Sequence, residues 1–118
     1  MDHYDIWCDL APGANDLEFV EAVRTYLGHL QVPRYSISRR KLGFGPPGLG
    51  EFHIRISFPD LAALDEAFNV AATRNTIVEP LHHAVYSRIM NFKSGLYRDF
   101  PDPHRLGASA TDSREKTS

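Results

Sequence analysis

Glu51-Phe52-His53-Ile54-Arg55-Ile56-Ser57-Phe58 decides the architecture. Phe52, Ile54, Ile56 and Phe58 alternate with Glu51, His53, Arg55 and Ser57, the period of two that marks a strand with one apolar and one polar face. Upstream, Tyr4, Ile6, Cys8 and Leu10 alternate in the same way with His3, Asp5, Trp7 and Asp9, so a first strand is expected there. Pro12-Gly13 ends it. Asn15-Asp16-Leu17-Glu18 then reads as a capping box opening a helix, with Phe19, Val20, Val23, Tyr26, Leu27 and Leu30 on its buried stripe and Val32-Pro33 closing it.

Tyr35 to Leu42 predicts a second strand, and residues 43–50, rich in Gly and Pro, the loop into the strand quoted above. Asp60 caps a second helix reaching about Arg74, with Leu61, Leu64, Ala67, Phe68 and Ala71 turned inward. Val78 to His83 reads as a brief helical turn with Pro80 in its first turn, and Val85 to Phe92 as a fourth strand. Phe92 to Pro103 keeps Leu96, Tyr97 and Phe100, apolar surface that can pack along the body or onto a partner chain. Residues 106–118 carry no aromatic residue, and disorder is expected there.

The order β-α-β-β-α-β describes an α+β, ferredoxin-like sandwich over residues 1–105: a four-stranded antiparallel sheet with two main helices on one face. Right-handed crossovers place the first and third strands at its centre.

With 118 residues this is a single-domain length. Thirteen Lys and Arg against fifteen Asp and Glu argue against a dedicated nucleic-acid binder. The RNA-recognition pattern also fails, because His53 and Arg55 stand where aromatic residues would be needed. Cys8, the single cysteine, excludes an intrachain disulfide and multi-cysteine metal sites and fits a reducing compartment. The first residues resemble neither a leader nor a membrane span, so the expectation is a cytoplasmic protein without a membrane partner.

The polar face of the two central strands carries the candidate site. His53 is the candidate acid–base group and Asp5 its orienting partner, with His3 an alternative base. Arg55 is the candidate anion contact, Trp7 a stacking surface for a planar ligand, and Arg40, in the run Arg39-Arg40-Lys41, a cation at the pocket mouth. The competing account has Asp5 and Arg55 simply pairing across strands and Trp7 packing at a dimer interface. The loop 43–50 lacks a P-loop ending and opens no helix, so a hairpin connection explains it better than a phosphate cradle. No cofactor is expected. No metal is expected either: His82 and His83 are adjacent and diverge, leaving only His3, His53 and an Asp to converge.

Residues 41–53 (Lys41-Leu42-Gly43-Phe44-Gly45-Pro46-Pro47-Gly48-Leu49-Gly50-Glu51-Phe52-His53) and 96–103 (Leu96-Tyr97-Arg98-Asp99-Phe100-Pro101-Asp102-Pro103) resemble those of a small uncharacterised bacterial domain family of the dimeric α/β-barrel superfamily. That resemblance, over about residues 1–105, implies two ferredoxin-like sheets meeting face to face. It implies no catalytic residue. Together these readings predict a homodimer that binds a small aromatic or anionic molecule in a pocket on the open sheet face, with cofactor-free catalysis as an option. The alternative is a non-catalytic interaction module whose sheet face is filled by its partner.

Overall fold

The computed structural model describes residues 1–73 and 76–101. Their elements run β1 (Asp2–Leu10), α1 (Asp16–His29), β2 (Arg34–Arg39), β3 (Phe52–Phe58), α2 (Leu61–Ala72), α3 (Val78–Tyr86) and β4 (Ile89–Arg98). The strands form one antiparallel sheet in the order β2-β3-β1-β4, with β1 and β3 central.

The alternation fixes the register. Tyr4 lies opposite Ile56, Ile6 opposite Ile54 and Cys8 opposite Phe52, so the apolar residues of both central strands share one face. A slip of one residue would expose all of them. That face packs under α1 and its neighbours, with Cys8, Phe19, Val23, Ile54, Phe58 and Val78 buried, each large side chain contributing ~1.5–3 kcal/mol before its entropy cost. Helix α1 starts where Asn15 Oδ1 accepts the Glu18 amide at 3.0 Å, and α2 where Asp60 Oδ1 accepts the Ala63 amide at 2.9 Å. Both N-cap residues are as expected, but the capping box is half made: no hydrogen bond from the Asn15 amide to the Glu18 carboxylate occurs among the described residues, and that carboxylate lies 4.0 Å from Arg88.

Several boundaries differ from the sequence reading. The expected short turn is the nine-residue helix α3, because Val78, Leu81 and Val85 recur at helical spacing and give it a stripe to bury. The fourth strand accordingly begins at Ile89, not Val85, and continues to Arg98. The segment expected to drape over the body is therefore itself an edge strand paired to β1. Its Lys93-Ser94-Gly95 core hides the alternation because much of this strand is exposed on both faces. Strand β2 stops at Arg39, since Leu42 and Gly43 both turn to positive φ. Leu61, expected inside, remains half exposed on the first turn of α2. The expected tail, residues 106–118, lies outside the described residues.

Candidate functional site

Antiparallel pairing sets Asp5 on β1 directly between Arg55 on β3 and Gly95 on β4. Its side chain is 1% exposed. Arg55 grips it with a fork, Nε donating to Oδ1 at 2.8 Å and a terminal nitrogen to Oδ2 at 3.0 Å, while His53 Nε2 donates to Oδ1 at 2.7 Å. Burial pushes the Asp5 carboxyl up, but the hydrogen bonds and charges of Arg55 and His53 outweigh it and hold the group below its ordinary value. Asp5 in turn raises Arg55.

Trp7 stacks flat on His53, with centroids 5.0 Å apart and an interplanar angle of 10°, and meets Tyr97 edge-on at 6.4 Å. The Tyr97 ring lies over Gly95, where an added Cβ would crowd it at 3.1 Å. The two rings thus wall the Asp5 group. His53 Nδ1 has no hydrogen-bond partner among the described residues.

The structure therefore brings Asp5, His53, Arg55 and Trp7 together as the sequence suggests. His3 stands beside them in a second chain. Its Nε2 donates to Asp99 at 2.7 Å, so a neutral ring accepts the Ser57 hydroxyl at Nδ1, 2.8 Å away. Asp99, also bound to the amino terminus at 3.1 Å, is held below its ordinary value by these contacts. Arg40 is engaged elsewhere. It donates to the Leu49 carbonyl at 2.6 Å and ties the loop to the end of the sheet, near Asp9.

The other face of the sheet holds what sequence reasoning missed. A cavity of about 460 Å³ opens between the sheet and the helices, on the side opposite the open face where a pocket was expected. Tyr4 meets Phe68 edge-on at 5.0 Å, Tyr26 meets His82 at 5.8 Å, and His82 stacks on Tyr86 at 4.3 Å with Phe92 beyond it. Burial pushes the Tyr86 hydroxyl up to about 12 and the Cys8 thiol up to about 11. These residues fit a core stripe by spacing alone, and the one signal was their chemistry: three tyrosines and a histidine are more polar groups than a closed core wants.

No group of three or more His, Cys, Asp or Glu that could hold a metal occurs among the described residues. No described helix is long and apolar enough to cross a membrane.

Known proteins of similar fold share little sequence with this chain. A protein of Arabidopsis thaliana matches with a TM-score of 0.64 and 10% identity, covering 84% of this chain and 95% of its own. A dimeric ferredoxin-like protein of unknown function from Thermobifida fusca matches at 0.54 and 11%, covering 81% and 88%. SnoaB, a cofactor-independent oxygenase from Streptomyces nogalater, matches at 0.54 and 12%, covering 86% and 95%. No curated protein matches. These likenesses agree on the ferredoxin-like fold. A family model spans residues 1–111, and the chain belongs to that family, the family of unknown function DUF6614.

Proposed function

We propose that this chain is a homodimeric small-molecule-binding protein, with its ligand in the cavity between sheet and helices and its open sheet face against a second copy. The cavity carries the reading. Protein interiors pack closely and leave few voids larger than a water, whereas about 460 Å³ lined by apolar and aromatic side chains with a few polar groups has the size and character of a ligand pocket. The dimer draws support from the Thermobifida fusca protein, described as dimeric, and from Tyr97 and Met90, about half exposed on the open face around Trp7. A twofold pairing would bury the Asp5–Arg55 fork between subunits. SnoaB shows that one neighbour in fold works as an oxygenase without a cofactor, a chemistry open to this chain as well. A buried free thiol suits a reducing, cytoplasmic setting.

A second reading is favoured by the unpartnered Nδ1 of His53. Here the open face is itself the site: His53 exchanges protons at Nδ1, Asp5 orients it, Arg55 favours an anion, and Trp7 stacks on a planar ligand, whereas His3 and Arg40 are held by Asp99 and by the Leu49 carbonyl. Arg55 enters this reading already committed to Asp5, which weakens it.

Titration of the full chain with the fluorescent probe N-phenyl-1-naphthylamine separates the two. Ala71→Phe, which fills the cavity, should weaken binding about tenfold or more while circular dichroism stays unchanged, and His53→Ala should bind as the parent does. The opposite pattern would move the site to the open face.

A further inference from the structure

The cavity also says what kind of molecule fits it, an inference that rests on its being the ligand site. Among the described residues that line it there is no Asp, Glu, Lys or Arg. Its polar atoms belong to Tyr4, Tyr26, Tyr86, Cys8, Asn69 and His82. Tyr26 and Tyr86 both pack against the His82 ring, at 5.8 and 4.3 Å, so three of these polar groups gather in one part of the cavity. Burial raises the Cys8 thiol and the Tyr86 hydroxyl and so holds both in their neutral forms.

A site that resists ionising its own thiol and phenol resists a ligand carboxylate for the same reason, the cost of placing a charge where water is scarce. Three of the arginines on the surrounding elements are committed elsewhere. Arg55 is forked onto Asp5 on the far side of the sheet, Arg39 is paired with Asp16 and Glu51, and Arg88 donates to the Ala84 carbonyl. What remains is flat aromatic wall and neutral hydrogen-bonding groups. Offset and edge-on ring contacts of the kind already made by Tyr4 with Phe68 and by His82 with Tyr86 accept a further planar ring readily.

We infer that the cavity selects uncharged planar aromatic molecules bearing a hydroxyl or carbonyl group, and discriminates against carboxylates of the same shape. At roughly 30 Å³ per water, about 460 Å³ equals about fifteen waters, which suits a bicyclic or tricyclic molecule.

The test is displacement of N-phenyl-1-naphthylamine from the full chain at mildly alkaline pH, where an ordinary imidazole is neutral. The competitors are 2-naphthol, 2-acetylnaphthalene and naphthalene-2-carboxylate. The two neutral compounds should compete at least about tenfold more tightly than the carboxylate. Equal or better competition by the carboxylate would overturn the charge preference while leaving the cavity as the site. Failure of the probe itself to bind would instead remove the cavity reading, and this inference with it. Tyr86→Phe keeps the ring and deletes the hydroxyl, so it should reduce the preference for 2-naphthol over the probe about threefold or more. An unchanged preference would overturn the hydroxyl's part in recognition.

Discussion

Asp5 shows how much one carboxylate can organise when it is fully buried and still ionised. Asp5→Asn leaves the Arg55 guanidinium without its counter-ion. Removing one partner of a buried ion pair costs ~3–5 kcal/mol, and because Arg55 is itself 40% exposed a loss of about 2–3 kcal/mol is expected, read as a lower thermal midpoint. The pH dependence has a definite sign. Asp5 is held below its model value of 3.8, so the unfolded chain binds this proton more readily, and the stabilisation is present above that value and lost as pH falls through the folded one. Denaturant titrations across the acid range should show a shallower loss of stability in Asp5→Asn, by at most about one proton, or ~1.4 kcal/mol per pH unit. Equal slopes in both proteins would contradict the assignment. Gly50 makes a different point: a Cβ there would strike the Cys8 backbone. Gly50→Ala should cost about 1–3 kcal/mol in a melting experiment.

The open-face group was legible at this scale, because strict alternation on two neighbouring antiparallel strands leaves Asp5, His53, Arg55 and Trp7 nowhere to go but one patch. The helix-side aromatics were not. Tyr26 sits on the buried stripe of α1, and Tyr86 was expected on a strand and not on the helix it shares with His82; spacing cannot tell a filled core from one with room left in it.

At the level of elements, local signals served the helix starts well and the last strand poorly. Asn15 and Asp60 each satisfy an amide that the first helical turn leaves orphaned. Asn15→Ala should lower stability by ~1 kcal/mol in chemical denaturation, and Asn15→Gly by only a few tenths. A larger and equal loss in both would mean that Asn15 does more than cap. Strand β4 was expected with the wrong bounds because its pairing is carried by backbone hydrogen bonds to β1, with a bulge between Trp7 and Asp9 where Asn91 takes a φ of 58°. Patterning reports burial, and an exposed edge strand has little to report. Helix α3 was shortened for a related reason, since Val85 and Tyr86 also suit a strand until Val78 and Leu81 are counted with them.

For the molecule as a whole, the sheet has two unlike faces. One is an ionic and aromatic surface, proposed above to meet a second copy, and the other is the wall of a cavity. Light scattering on the full chain should give twice the chain mass, and Tyr97→Glu, which sets a charge in the proposed interface, should shift the protein toward monomer at micromolar concentration. A parent that runs as a monomer at every concentration would dismiss the interface without touching the cavity.

The most direct test of the division is to map amide chemical shifts on the labelled full chain as 2-naphthol is added. The cavity account predicts perturbations centred on Tyr26, Tyr86 and Phe92, with the amides of Trp7, His53 and Arg55 little changed. Perturbations centred on Trp7, His53 and Arg55, with the helix side silent, would contradict it.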